Sequence, residues 1–376
     1  MAATSGGSPV GADDIGFEAQ MMCGAQKLGQ MFEALKEVME SATVVITDDG
    51  MHSFSSDRND VALIKWTLNR GSFQRWVCKY RYLLKLNVLS LYKAFKMCGK
   101  STHITLRILK NKPEMLYLIM ANASSGYAAQ VCITSSTPDE DLVQLTDNQF
   151  PQHVRMPSTQ FQTLVGYLSN FSSEDTGTRK LRIEWFEDTL ELSTGNATDA
   201  THSRIVLQQT NSGMSMATGM VDPDNTDAGG GEQVDDEDDV GEAPLRDRKR
   251  ARTSQEQASA ASPNQAATAA DTAVTSSMMS AETLFAQSQR TPIVEMELLM
   301  KYVKYFAKAA PLCQIMRIFL RDNLAMFSFN IGTLGTLQYY ICPTMGEDDA
   351  AQAADDLPED YAEVDNNGAA ATEVQH

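Results

Sequence analysis

The chain has 376 residues, 43% of them hydrophobic, enough to bury two ordinary cores; it shows neither an N-terminal apolar run nor a stretch of roughly eighteen apolar residues, so no signal peptide and no membrane-spanning helix is expected. Its net charge of −18 would argue against a nucleic-acid partner, but the charge is unevenly placed: the tail from Glu347 carries ten acids and no Lys or Arg, residues 213–290 carry 14 acids against six bases, and Asp13 and Asp14 lie near the start. The remainder is close to neutral, so the acidity belongs to segments expected to be disordered, and the folded part is left locally cationic.

Residues 1–15 are small and polar and are expected to be unordered. A strand follows from about Phe17 to Gln20, then an amphipathic helix over Lys27 to Ser41, with Leu28, Met31, Phe32, Leu35, Val38 and Met39 at helical spacing. Val44 to Thr47 and His52 to Ser56 read as a hairpin around Asp48-Asp49-Gly50, and Val61 to Leu68 and Gln74 to Cys78 as further strands. A second helix is expected over Val88 to Cys98, its apolar stripe formed by Leu89, Tyr92, Phe95 and Met97, with Lys93, Lys96 and Lys100 opposite and Gly99 as a left-handed C-cap. Strands at Ile104 to Ile108, Met115 to Met120 and Ala128 to Ile133 complete a first domain, residues 16–134.

Ser135 to His153 is a polar, acidic linker around Leu142, Val143 and Leu145, which reads as a segment that binds something. Val154 to Met156 opens a second domain, residues 154–346; Pro157-Ser158 starts its helix, with Phe161, Leu164, Val165, Leu168 and Phe171 at helical spacing, and strands run on to Gln209. From 213 to about 290 the composition cannot bury enough apolar surface to order itself, except that either 213–221 or 282–286 supplies an edge strand. Within this insert Arg246, Arg248, Lys249, Arg250 and Arg252 suit a nuclear import signal, and equally a plain solvated charge run. Order resumes at Pro292 with a helix bearing Lys301, Lys304 and Lys308, a breaker at Pro311, and strands ending at Leu337 to Pro343; residues 347–376 form the acidic tail.

Helix followed by strands thus occurs four times, which predicts an α+β fold of two duplicated domains, each with two helices packed on antiparallel sheets. Six cysteines without a CxxC pair predict reduced, mostly buried thiols in an intracellular protein, and five scattered histidines predict no metal site. There is no P-loop, no GxGxxG after a strand and no nucleophile elbow, and the GxxG at 332–335 is too weak to use; no enzyme and no cofactor are expected.

Seven pieces in order along both domains carry a resemblance: FEAQ at Phe17, FEALKEV at Phe32, DRNDVALIKWTL at Asp57, the cationic helix at Val88, VRMPSTQF at Val154, MKYVKYFAKAAPL at Met300 and LQYYICP at Leu337. In these the chain resembles sliding clamps of the proliferating cell nuclear antigen (PCNA) family. The resemblance implies a DNA-clamp fold, three subunits closing head to tail into a ring around duplex DNA, an ATP-dependent loader that opens it, and a nuclear role in replication and repair. On family positions Lys36, Lys93, Lys96 and Lys308 would face the DNA, with Lys301 and Lys304 nearby, as weak, sequence-blind phosphate contacts. A pocket for polymerase and other proteins with a short clamp-binding motif would comprise Val61, Leu63, Leu142, Val143, Leu145, Leu324, Tyr340, Cys342 and Pro343.

The sequence also departs from the family. Asp60 stands where relatives have a histidine at the pocket rim, Thr163 and Gly166 stand where relatives carry arginines toward DNA, and Glu187 replaces a lysine that relatives present for ubiquitin-type modification. Two other readings stand beside the homotrimeric clamp: a clamp relative that does not homotrimerise, as a heterotrimer subunit or a monomeric or dimeric viral processivity factor, and an acidic histone-binding chaperone.

Overall fold

The computed structural model describes residues 14–21, 24–99, 102–122, 126–137, 149–170, 179–195, 203–208, 214–221, 291–321 and 323–343. Four units of one plan follow one another. The first is β1 (Ile15–Met21), α1 (Ala25–Leu35), β2 (Ser41–Ile46), β3 (Gly50–Ser56), β4 (Ala62–Asn69) and β5 (Arg75–Cys78). The second is β6 (Tyr82–Asn87), α2 (Val88–Phe95), β7 (Thr102–Leu109), β8 (Lys112–Asn122) and β9 (Tyr127–Thr134). The third is β10 (Phe150–Pro157), α3 (Ser158–Asn170), β11 (Lys180–Trp185), β12 (Thr189–Thr194), β13 (Ser203–Gln208) and β14 (Ser215–Val221). The fourth is β15 (Val294–Leu299), α4 (Met300–Ala307), β16 (Ile315–Arg321), β17 (Leu324–Asn330) and β18 (Gly335–Ile341).

Among the described residues all strand pairs are antiparallel, in three sheets ordered β5-β1-β7-β8-β9, β14-β10-β16-β17-β18-β4-β3-β2-β6 and β13-β12-β11-β15. The middle sheet joins the halves through β18 and β4, from Gly335 opposite Leu68 to Ile341 opposite Ala62. Gly335 is required at that seam, because a Cβ there would lie 1.8 Å from the Thr67 carbonyl oxygen. Side chains alternate across the sheet. Trp66 and Tyr339 face the helices, their rings 6.2 Å from Phe32 of α1 and 4.4 Å from Phe306 of α4. Their neighbours Leu63 and Tyr340 therefore belong to the opposite face.

Four local expectations are corrected. Helix α1 ends at Leu35 rather than Ser41, because the N–H groups of Val38 and Met39 both bond to the Leu35 carbonyl at 3.0 Å and close a turn that buries both side chains. Helix α2 ends at Phe95 with Lys96 as a right-handed C-cap, and Gly99 does not take the left-handed conformation; its N–H is held instead by Thr102 Oγ1 at 2.9 Å. The buried face of α2 is Val88, Leu91, Ala94 and Phe95, whereas Leu89 and Met97 are 46% and 51% exposed. The Phe95 ring, stacked on Phe32 at 5.2 Å, sets that rotation. Of the two stretches proposed for an edge strand, residues 215–221 form β14 against β10, and 282–286 lie outside the described residues. Strand β10 begins at Phe150, four residues ahead of the expected opening of the second half.

Candidate functional site

Helices α1, α2 and α4 end alike. Each has a lysine as C-cap: Lys36, Lys96 and Lys308. Carbonyls left without an intrahelical partner and the negative end of the helix dipole favour a cation there, by about 0.3–1 kcal/mol. The lysines are further held by aromatic faces: Lys36 Nζ lies 3.9 Å and Lys96 Nζ 5.7 Å from the Tyr92 ring centre, and Lys308 Nζ 5.7 Å from that of Tyr305. Lys93 is exposed in the last turn of α2; Lys301, near the Tyr302 ring, and Lys304 are half-buried on α4. The structure thus sets all six expected lysines on helices or helix ends, away from the residues those helices bury. One is partly neutralised, since Lys308 pairs with Glu37 at 3.3 Å. Helix α3 carries no basic residue.

Lys27 of α1, which no local pattern singles out, is withdrawn from this set. Its Nζ donates to the carbonyls of Pro311 and Leu312 at 2.8 and 3.1 Å and ties the halves together. A second tie uses the β3–β4 turn. Asp57 Oδ1 accepts from the N–H groups of Val61 and Ala62 at 2.8 and 2.9 Å, and its Oδ2 accepts from the Tyr302 hydroxyl of α4 at 2.6 Å. Burial and that carboxylate push the Tyr302 hydroxyl up to about 12. Within this turn Asp60 has φ 55°, the one positive value at a non-glycine among the described residues.

On the sheet face away from the helices, Phe319, Met326, Tyr340 and Leu63 stand opposite one another in successive strands. With Phe150, Leu324 and Phe54 they form an apolar cluster separate from the main core. The structure brings together three of the expected partner-binding residues, Leu63, Leu324 and Tyr340. Leu324 and Tyr340 are buried there, so Leu63 and Phe54 are what this cluster leaves open at its margin. Val61 packs instead on the main core, Cys342 is exposed and Pro343 half-buried. Phe54, Phe150, Phe319 and Met326 were missed; they lie on four different strands, β3, β10, β16 and β17, and only the strand order brings them together. Leu142, Val143 and Leu145, Lys100, and the basic run from Arg246 to Arg252 lie outside the described residues.

Among the described residues no group of His, Cys, Asp or Glu is arranged to hold a metal. Five described cysteines are free, and only Cys98 is buried, so the expectation of mostly buried thiols is corrected: Cys132 and Cys342 lie exposed on or beside strands whose alternate residues point outward.

Residues 16–136 match the family described as proliferating cell nuclear antigen, N-terminal domain. The chain is similar to probable DNA polymerase sliding clamp 1 of Paramecium bursaria Chlorella virus 1, with 24% identity over 160 residues, 43% of this chain and 61% of that protein. It is similar to proliferating cell nuclear antigen 2 of Drosophila melanogaster, 22% over 149 residues, covering 40% of this chain and 58% of the relative. Proliferating cell nuclear antigen of Saccharomyces cerevisiae matches at 22% over 143 residues, 38% and 55% of the respective chains. The chain therefore spans little more than half the length of the curated relatives it matches.

Proposed function

We propose that the chain is a divergent member of the proliferating cell nuclear antigen family and serves as a DNA polymerase sliding clamp, a reading supported by the match of residues 16–136 to that family's N-terminal domain and by relatives named as clamps. The observation that carries this reading is the recurrence of a lysine at the same helix end in three of four units. Lysines fixed at helix ends and steadied by tyrosines offer phosphates a weak, sequence-independent attraction, as sliding requires. No step of bond chemistry belongs to the protein itself.

Ring closure is supported by the internal repeat. Within the chain the last strand of the second half, β18, pairs with β4 of the first. The corresponding strands, β9 and β13, are edges of their sheets among the described residues. Pairing β9 of one copy with β13 of the next repeats the internal seam in a head-to-tail contact, which closes into a ring, three copies by family resemblance. The apolar margin around Leu63 and Phe54, with the linker segment at Leu142, Val143 and Leu145, then serves polymerase and other partners, an ATP-dependent loader opens the ring, and the basic run at Arg246 to Arg252 directs it to the nucleus.

Two measurements test this. Light scattering should give a mass near three times the 41.3 kDa chain. Replacing Lys36, Lys93, Lys96 and Lys308 together by alanine should lower polymerase stimulation on long templates by at least about tenfold, four phosphate contacts being removed, with melting temperature little changed. Unchanged stimulation overturns the lysine assignment, and a stable single-chain mass overturns the self-closing ring.

A further inference from the structure

A cleft of about 450 Å³ opens on the first half, lined by Tyr80, Arg81, Tyr82, Leu83, Lys110 and Pro113. Its two walls are the β5–β6 connection and the β7–β8 hairpin. Both are fastened to the start of β1: the Lys79 N–H donates to the Gly16 carbonyl at 3.0 Å and the Lys110 N–H to the Asp14 carbonyl at 2.9 Å. Tyr82 is buried at the base, its ring 6.5 Å from both Phe17 and Tyr80. Gly16 makes room for it, since a Cβ there would meet the Tyr82 hydroxyl at 2.0 Å. The cleft is therefore a built feature rather than a gap between mobile side chains.

Its chemistry is one-signed. Among the described residues no carboxylate lines it, and neither Arg81 nor Lys110 is ion-paired. Lys79 and Lys112 flank it on the same two walls. The cationic field extends beyond it: burial first, and then the charges of Arg81 and Lys65, hold His52 below the usual imidazole range. Tyr80 is 57% exposed; its backbone carbonyl accepts from the Cys78 thiol, and its ring meets the Tyr82 ring edge-to-face while more than half of the residue stays open to solvent.

We infer that this cleft binds single-stranded nucleic acid, with a base stacked on Tyr80 and the neighbouring phosphates taken by Arg81 and Lys110 from opposite walls. An open aromatic face between cations on two separate loops fits a strand that supplies rings and phosphates alternately. A phosphorylated peptide would call for several arginines converging on one point, and among the described residues Arg81 is the one arginine that lines the cleft. The volume suits a nucleotide-sized group. The cleft is distinct from the lysines on the helices, and the inference rests on the clamp reading only for the source of the strand, the unpaired part of a template.

The test is fluorescence anisotropy of the full chain with labelled oligodeoxythymidylate of about ten nucleotides at low salt. Tyr80→Ala should weaken binding about tenfold or more, Tyr80→Phe should retain it, and Arg81→Glu with Lys110→Glu should abolish it. The helix-lysine variant should lose clearly less oligonucleotide affinity than Tyr80→Ala while losing polymerase stimulation, which separates failure of this inference from failure of the clamp reading. All of these side chains lie at the surface, so melting temperatures should hold. Unchanged affinity in Tyr80→Ala, equal loss in the helix-lysine variant, or binding of a phosphorylated peptide with none of the oligonucleotide would overturn the inference.

Discussion

Helices α1 and α3 open the two halves of the duplicated fold and bury corresponding positions, Ala25, Leu28, Phe32 and Leu35 against Ser158, Phe161, Val165 and Leu168. What surrounds those positions differs. Helix α1 is pressed against α2 through Gly29, where a Cβ would lie 3.2 Å from the Phe95 carbonyl oxygen, and it carries Lys27 and Lys36. Helix α3 has a glycine with open space around it, Gly166, no cation, and Tyr167 56% exposed. Duplication preserved the buried stripe because the core demands it; the outer face was free to diverge, and that face is where the proposed DNA contact lies.

The sharpest way to break this contrast is to fill the two glycines. Gly29→Leu should lower stability by roughly 1–3 kcal/mol, since Leu is a good helix former and the loss would come from overpacking against a backbone that cannot retreat from the Phe32–Phe95 stack. Gly166→Ala should raise stability by about 0.5–1 kcal/mol through helix propensity alone. Urea midpoints at constant slope decide both. Shifts of the same sign at the two sites would mean that the close approach of α1 and α2 is not what Gly29 serves.

A smaller effect sharpens the functional half of the comparison. If α3 faces the same duplex as α1, α2 and α4, then Gly166→Arg adds one phosphate contact. Duplex binding by the full chain should tighten, and the dependence of log affinity on log salt should steepen by about 0.9. An unchanged slope would place α3 outside the DNA-facing surface and make the contact lopsided by geometry rather than by charge.

The repeat of helix and strands, and with it the α+β architecture, was legible because amphipathic periodicity is a local property. Helix ends were less so. Val38 and Met39 keep the helical spacing of α1, yet lie in a turn: apolar residues are buried equally well by a turn that packs under the core, and periodicity cannot tell the two apart. Leu89 and Met97 fail similarly, because the rotation of α2 is set by Phe95 meeting Phe32 from another unit. The lysines were legible as a class, but not that three of them share the C-cap position, and nothing local marks Lys27 as a tie to Pro311 and Leu312. Row partners such as Phe319 and Met326 become visible only once strand order is known.

The halves also differ in how their sheets hold buried acids, and this gives the smallest expected effect. On β1, Glu18 is met by Arg107 at 2.7 Å and Arg75 at 3.3 Å. On β11, Glu184 stands directly opposite Glu191 on β12 and Glu295 on β15, a row of three carboxylates across neighbouring strands. Arg204 takes up Glu191 and Arg182 reaches both Glu184 and Glu295, yet burial, reinforced by the two flanking carboxylates and only partly opposed by Arg182, raises the Glu184 carboxyl above its ordinary value. A carboxyl with a raised folded-state pKa binds its proton more tightly when folded, so its contribution favours folding at acid pH and is lost as pH rises from the ordinary carboxylate range through the raised value. Glu184→Gln should therefore raise the melting temperature modestly at neutral pH and leave it unchanged near pH 4, whereas Glu18→Gln should lower it at neutral pH by stranding Arg107. Equal effects of Glu184→Gln at both pH values would show that the neighbouring arginines already neutralise the row, and that the two sheets have solved the same problem in the same way.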